Sequence, residues 1–379
     1  MKQRYLAKII GDVLSRKMVF LGGPRQVGKT TLALSFLQST DSPSSYFNWD
    51  LKEHRERIRS ETLPTDTALL VLDEIHKFPR WRRLVKGLFD VYGRKTRIIV
   101  TGSARLDYYR KGGDSLIGRY RYFRLHPFTA PELTQGPATI NPQDVKTLLK
   151  FGGFPEPLFA GRETELKIWQ RERLTRIIDG DLRDLERVRE ASLVELLVDA
   201  LPSRVGSPLS IKSLREDLEV SHETVAHWLQ ILERLYVCFR VSPYGSPKIR
   251  AVKKEQKLYL WDWSVLQDEG ARFENMVASH LLKYCHYRED CFGDTMELRY
   301  LRDVEKRELD FVVLADKKPL FAVECSLTAK QDSSIAYFKD RVPIPKVYQV
   351  HMGGEDYGDG IKRARVLPFG KFCTEAALI

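Results

Sequence analysis

Eight residues near the start of the chain have the types and spacing most specific for chemistry. Gly23-Pro24-Arg25-Gln26-Val27-Gly28-Lys29-Thr30 fits the pattern G-x-x-x-x-G-K-[ST]. The run follows an apolar stretch, Met18–Leu21, and opens a stretch of helical spacing, Thr30–Leu37. Glycines at both ends of such a loop let backbone N–H groups wrap an anion, and the start of the helix adds its partial positive charge. The Lys29 ammonium would reach the β- and γ-phosphates of a nucleotide, and the Thr30 hydroxyl would ligate Mg²⁺. The expected nucleotide contacts are therefore Gly23, Pro24, Arg25, Gln26, Val27, Gly28, Lys29, Thr30 and Thr31.

A second element completes this chemistry. Leu69-Leu70-Val71-Leu72 reads as a strand ending in Asp73-Glu74. An acid at the C-terminal end of a parallel strand faces the ligand crevice. Asp73 would hold Mg²⁺ through water, and Glu74 would orient and activate an attacking water. A third strand, Arg97–Val100, runs through Thr101 into Gly102-Ser103. Ser103 either positions that water or contacts the γ-phosphate; a helix N-cap is the plainer reading of the same serine. Arg119, in Ser115-Leu116-Ile117-Gly118-Arg119-Tyr120, could neutralise transition-state charge in cis or from a neighbouring subunit, with Arg25 and Arg105 as rivals. No guanine-reading Asn-Lys-x-Asp segment is present, which favours ATP as the nucleotide.

These residues need a scaffold. The first ~130 residues alternate apolar strands with amphipathic helices, which predicts an α/β unit with a mostly parallel sheet. Its strands are expected at Met18–Leu21, Ser45–Trp49, Leu69–Leu72, Arg97–Val100 and Arg121–Leu125, and its helices at Gln3–Ser15, Thr30–Leu37 and Arg80–Val91. Pro127, Pro131 and Gln135-Gly136-Pro137 mark a boundary. Helical spacing returns over Asp144–Lys150 and Glu163–Arg189, separated by Phe151-Gly152-Gly153-Phe154-Pro155-Glu156-Pro157, a run that reads as a turn outside any regular element. Leu209–Tyr244 reads as helix, turn, helix, strand. From about Lys257 one helix, Phe273–Tyr284, is mixed with strands at Glu297–Leu301, Leu309–Leu314, Leu320–Glu324 and Lys346–Val350. The expected divisions are 1–135, 136–200, 201–245 and 246–379.

Composition bounds the function. The 379 residues are 30% charged and 43% hydrophobic, with apolar runs too short to span a bilayer, and the N-terminus has no signal-peptide core; a cytoplasmic protein is expected. Five scattered cysteines with no Cys-x-x-Cys pair suit reduced thiols rather than a disulfide set or zinc site. The net charge of +11 is uneven: residues 1–135 hold 25 Lys/Arg against 13 Asp/Glu, and the remainder is nearly balanced. A basic front domain suits phosphate, whether of nucleotide or of nucleic acid; a solvated surface explains the count equally well.

The chain resembles the bacterial and archaeal AAA-type ATPases that carry an uncharacterised C-terminal domain with a restriction-endonuclease-like core. The likeness rests on the Gly23–Thr31 loop, Leu72-Asp73-Glu74-Ile75, Thr101-Gly102-Ser103, Leu116-Ile117-Gly118-Arg119, Leu125-His126-Pro127-Phe128 and Gly152-Gly153-Phe154-Pro155-Glu156. It implies an AAA-type sheet with the Ser103 strand between the loop strand and the Asp73 strand. The whole-chain expectation is an α/β protein: a P-loop AAA-type parallel-sheet domain, a helical connector, a winged-helix-like module and a C-terminal restriction-endonuclease-like α/β domain.

The back half is less specific. The helix after Val220-Ser221 exposes His222, Glu223, Thr224, His227, Gln230 and Glu233, and 201–245 holds five Lys/Arg against five Asp/Glu. A DNA-reading helix brings arginine and lysine to phosphates, so structural or subunit docking is the better reading of this module. The terminal domain resembles the PD-(D/E)xK nuclease core, with Asp310 and Glu324 matching its metal-binding acids and Glu274 adding a ligand. The lysine position holds Ser326, and Lys330 lies in another register, so a retained fold without cleavage is favoured. The expected activity is Mg²⁺-dependent ATP hydrolysis coupled to movement of the C-terminal domains. The alternatives are a DNA-directed ATPase or nuclease and a slow nucleotide-gated docking protein; DNA, a second copy and a partner protein stay open as partners, and no membrane is expected.

Overall fold

Strands buried on both faces need near-continuous apolar runs, and the front of the chain supplies them. In the computed structural model these become β1 (Met18–Gly22), β2 (Ser44–Asn48), β3 (Leu69–Asp73), β4 (Arg97–Thr101) and β5 (Tyr120–Arg124), every residue of β1 and β3 being buried. All pair in parallel, in the order β2-β3-β4-β1-β5. The strand leading to Ser103 therefore lies between the loop strand and the Asp73 strand, as the resemblance implied. Helix α1 (Ala7–Leu14) precedes the sheet, and α2 (Lys29–Gln38), α3 (Lys52–Arg59) and α4 (Trp81–Tyr92) connect successive strands from β1 to β4. Phe20, Leu70, Leu72, Ile98 and Val100 pack with Trp81, Leu84 and Val85 of α4 in one core. Truncating such a leucine to alanine costs about 2–5 kcal/mol, so this core fixes the strand ends on which the site is built.

The structure describes residues 2–38, 44–64, 66–93, 95–102, 116, 118–134, 140–182, 191–245, 255–329, 333–361 and 363–379. Ser103, Arg105, Lys330 and the Gln135-Gly136-Pro137 boundary lie outside them, as does 183–189 of the helix expected to reach Arg189. The chain divides into two compact units, Met1–His126 and Pro127–Ile379.

The second unit begins with helices α5 (Ala130–Leu133), α6 (Pro142–Phe151), α7 (Pro155–Ala160), α8 (Glu163–Arg176) and α9 (Ala191–Ala200). The run expected to lie outside regular structure is only partly so: Pro155, Glu156 and Pro157 form the first turn of α7. Proline is tolerated there because the first helical N–H groups have no partner within the helix. Next come α10 (Ile211–Asp217) and α11 (His222–Arg234), whose N-cap Ser221 accepts from the Thr224 N–H. The remaining elements are β6 (Cys238–Pro243), β7 (Lys257–Leu260), α12 (Glu269–Phe292), β8 (Met296–Arg302), β9 (Glu308–Ala315), β10 (Lys318–Cys325), α13 (Ser333–Arg341), β11 (Val347–His351), β12 (Arg365–Pro368) and α14 (Phe369–Glu375). They form a mixed sheet in the order β12-β11-β10-β9-β8-β6-β7. Helix α12 is far longer than the expected Phe273–Tyr284. Asp268 caps its start, accepting from the Ala271 N–H at 2.7 Å, and Gly293 ends it at φ 82°.

None of the five cysteines forms a disulfide. No helix among the described residues is long and apolar enough to cross a membrane.

Candidate nucleotide site

The loop leaves the C-terminal end of β1 in a conformation that only certain residues take. Gly23 has φ 135°, and a Cβ there would lie 2.3 Å from the Leu125 carbonyl oxygen. Gly28 has φ 96°, immediately before α2. Both glycines of the pattern are thus required by backbone geometry. Lys29 is buried, and its ammonium donates to the carbonyl oxygens of Gly23 (3.0 Å) and Pro24 (2.7 Å), so it closes over its own loop.

A segment preceding α1 braces this loop. Arg4 is 8% exposed; its guanidinium donates to the Val27 carbonyl at 2.8 Å and to the His126 carbonyl. Beside it the Tyr5 hydroxyl donates to Arg124 O at 2.5 Å and accepts from the His126 N–H at 3.2 Å. Sequence reading placed Arg4 on a basic helix from Gln3. The helix begins only at Ala7, and Arg4 joins the loop to the chain leaving β5. Nothing local marks it, because its partners are 23 and 122 positions away.

Asp73 ends β3 at 2% exposure, within reach of three hydroxyl donors. Thr30 Oγ1 donates to Oδ2 at 2.9 Å, Tyr46 Oη donates to the same oxygen at 2.8 Å, and Thr101 Oγ1 donates to Oδ1. Asn48 Nδ2 in turn donates to Tyr46 Oη at 3.1 Å. The expected pair Thr30 and Asp73 is therefore in direct contact. Sequence reasoning missed Tyr46 and Thr101, which only the folded sheet reveals: its register sets Asn48 beside Asp73, and Tyr46 shares the face of Asn48. The Asp73 carboxylate and burial together push the Tyr46 phenol well above its ordinary range, burial being the larger cause.

Glu74 follows in the left-handed region, φ 54°, ψ 23°, which is rare for a residue with a side chain. Such strain of about 1–3 kcal/mol is characteristic of functional positions. Its Oε2 is buried without a hydrogen-bond donor, 3.7 Å from His76 Nε2 and 3.8 Å from Lys77 Nζ. Burial raises the Glu74 carboxyl above the usual carboxylate range, against the opposing charges of Lys29, Lys77 and Arg25. A carboxylate raised in this way is a better proton acceptor.

Arg119 is not part of this cluster. Its Nε and Nη2 donate to the two oxygens of Asp90 on α4, at 2.6 and 3.2 Å. It also precedes β5, where Met18 N donates to its carbonyl, at the opposite end of the strands from the loop. The in-cis reading of Arg119 is corrected on this geometry; a role towards a neighbouring subunit is all that it leaves. Arg25 is the rival within the described residues whose charge reaches Glu74.

In the second unit the expected acids do come together. Glu274 lies on α12, Asp310 on β9 and Glu324 on β10. The Asp310 N–H donates to Glu324 Oε2 at 3.2 Å, and the Cys325 N–H to Asp310 Oδ2 at 2.9 Å. Between Glu274 and Asp310 stands Lys257 of β7, its Nζ 3.3 and 3.4 Å from their carboxylates and ion-paired with Glu308. On α11, His222, Glu223, His227 and Gln230 are exposed, and Glu233 pairs with Arg240 at 2.7 Å.

Comparison with known proteins adds a family to this geometry. Residues 142–269 match a domain of unknown function (DUF8612), and residues 269–372 match another (DUF4143). An uncharacterised protein of Methanocaldococcus jannaschii is 25% identical over 87% of this chain and 80% of its own length. An uncharacterised protein of Mycobacterium tuberculosis is 24% identical over 66% of this chain, which spans only 55% of that relative's length. Among solved structures, the RuvB Holliday junction branch migration motor of Thermotoga maritima aligns at a TM-score of 0.28 and 14% identity, over 62% of this chain and 87% of that one. Residues 15–134 match the family model of an AAA domain, and with the loop and the strand order already described they form an AAA-type P-loop nucleotide-binding domain.

Proposed function

We propose that the chain hydrolyses ATP with Mg²⁺ and uses the nucleotide cycle to move its C-terminal unit. The observation that carries this is the meeting of Thr30 and Asp73 at 2.9 Å, with the strained, partly buried Glu74 next in sequence. A hydroxyl and a carboxylate are the hard oxygen donors that Mg²⁺ prefers, so these residues fit the ion. Thr30 would bind it directly and Asp73 through water. When bound, Mg²⁺ would supply positive charge against the phosphates.

The other residues have separate duties in this reading. N–H groups of the Gly23–Thr31 loop hold the phosphates. Lys29 leaves the Gly23 and Pro24 carbonyls and turns to the β- and γ-phosphates. Glu74 accepts a proton from the attacking water, and burial of its carboxyl favours that transfer. Ser103 is proposed as the group that positions this water, and Arg119 as a charge offered to a neighbouring copy. Tyr46 and Thr101 keep the Asp73 carboxylate in one orientation.

The divisions 136–200, 201–245 and 246–379, with their winged-helix-like and restriction-endonuclease-like modules, belong to the same proposal. Their support is the order α10, α11, β6 and the adjacency of Asp310 and Glu324.

The test is phosphate release from ATP by the full chain, with Mg²⁺ or excess chelator, and with or without duplex DNA. Turnover is expected only with Mg²⁺, and Lys29→Ala should abolish nucleotide binding or turnover. Undiminished turnover in Lys29→Ala overturns the assignment of the loop. Stimulation by DNA would make DNA the partner; indifference to it would favour a protein. Hydrogen exchange in the second unit, with and without ATP, tests the movement.

A further inference from the structure

The acids of the second unit are arranged as though for a cation, and a cation is already there. Lys257 is fully buried at the start of β7. An ammonium has three N–H donors. Here it has three carboxylates: Glu308, Glu274 at 3.3 Å and Asp310 at 3.4 Å. Each donor has an acceptor, and none remains for a water or a phosphate.

The acids are equally committed. Glu274 Oε1 also accepts from the Tyr259 hydroxyl at 2.7 Å. Glu308 Oε2 accepts from Arg302 at 2.8 Å. Asp310 uses Oδ1 on Lys257 and Oδ2 on the Cys325 N–H. A divalent ion at Asp310 and Glu274 would have to share their oxygens with a positive charge that the same carboxylates hold ionised. Ser326, at the position where a catalytic lysine was sought, is turned to the Thr328 carbonyl. Among the described residues no group of three His, Cys, Asp or Glu side chains is spaced to hold a metal ion.

We infer that Lys257 is a built-in replacement for the divalent cation this carboxylate framework would otherwise hold, so that the second unit neither binds a metal nor cleaves phosphodiesters. The ammonium joins β7, α12 and β9 at one point, as a structural ion does. The metal requirement of the chain then resides in the first unit alone. This inference stands apart from the proposed ATP hydrolysis, and neither depends on the other.

The experiment uses the full chain without nucleotide and counts bound Mn²⁺ by electron paramagnetic resonance. Wild type and Asp310→Asn are expected to bind the same number of ions, and neither should cleave single- or double-stranded DNA with Mn²⁺. Lys257→Met removes the charge while keeping the length of the chain, and it should gain one ion, bound at least tenfold tighter than anything in wild type. Lys257→Met/Asp310→Asn should lose that ion again. Wild-type Mn²⁺ binding or DNA cleavage that Asp310→Asn abolishes overturns the inference, and this comparison decides the matter even if Lys257→Met fails to fold. A folded Lys257→Met that gains no ion also overturns it, because the carboxylates would then not form a cation framework.

Discussion

Replacing Arg4 by alanine should loosen the nucleotide loop without touching any residue of its motif. The guanidinium makes two hydrogen bonds to backbone carbonyls, Val27 and His126, at a site only 8% exposed. A hydrogen bond from a charged donor contributes about 1.5–3 kcal/mol, and a carbonyl left buried without a partner forfeits its solvation as well. Taking the lower value for both bonds, Arg4→Ala should destabilise the first unit by about 3 kcal/mol. For a unit of this size that is a fall of roughly 10 °C in Tm. The assay is hydrogen exchange across a urea series, read on peptides from 18–38 so that the second unit does not contribute. ATP affinity is measured alongside, since the Val27 peptide lies within the loop. Arg4→Lys separates charge from geometry: a single ammonium cannot replace a fork joining two carbonyls, so it should recover only part of the loss. A change below about 1 kcal/mol in Arg4→Ala, with ATP affinity intact, would refute the bracing role.

Glu74→Gln should retain ATP binding and lose turnover by about 10²–10⁴-fold; wild-type turnover would remove Glu74 from the base role. Because burial raises the Glu74 carboxyl, wild-type turnover should fall on acidification at a pH above the ordinary glutamate range, and an acid limb inside that range would contradict the assignment. Gly23→Ala should abolish ATP binding, since its Cβ would stand 2.3 Å from the Leu125 carbonyl oxygen and backbone cannot yield as a side chain does; measurable affinity by calorimetry would show the loop to be less constrained. In the second unit burial, with help from Asp310, pushes Glu274 from 4.5 up to about 7. The folded state therefore favours its protonated form; the stability this contributes is complete below 4.5 and is lost as pH rises through about 7. At 1.36 kcal/mol per pH unit the loss is about 3 kcal/mol, and Glu274→Gln should flatten that slope in pH-dependent urea unfolding; an unchanged slope would place the titration elsewhere.

What could be read in advance was local. The Gly23–Thr30 loop, the Leu69–Asp73 strand and the Ser221 cap are written in consecutive residues whose types the backbone itself demands. The place of β4 between β1 and β3 followed from the resemblance, but the edge positions of β2 and β5 did not, because parallel strands give no local sign of their neighbours. Short amphipathic pieces such as α3 lack a long enough period to stand out, and the full length of α12 is marked only by single residues, the start signal Asp268 and the stop signal Gly293. Thr101 carries no local sign of its role, because only the register of β3 with β4 brings it level with Asp73.

The basic residues show why the remainder was closed to a linear reading. The excess of positive charge over residues 1–135 suggested a surface for phosphate, yet a lysine or arginine in a sequence says nothing about whether water will see it. Arg4 spends its charge on two carbonyls inside the first unit, Lys29 is folded over its own loop, and Arg119 is held by Asp90. In the second unit Lys257 has the same fate among three carboxylates that lie 17 to 53 positions away. A charge count measures the field of an unfolded chain; folding turns part of it inward, where it holds backbone and acids in place. The surviving surface charge is the quantity that would attract nucleic acid.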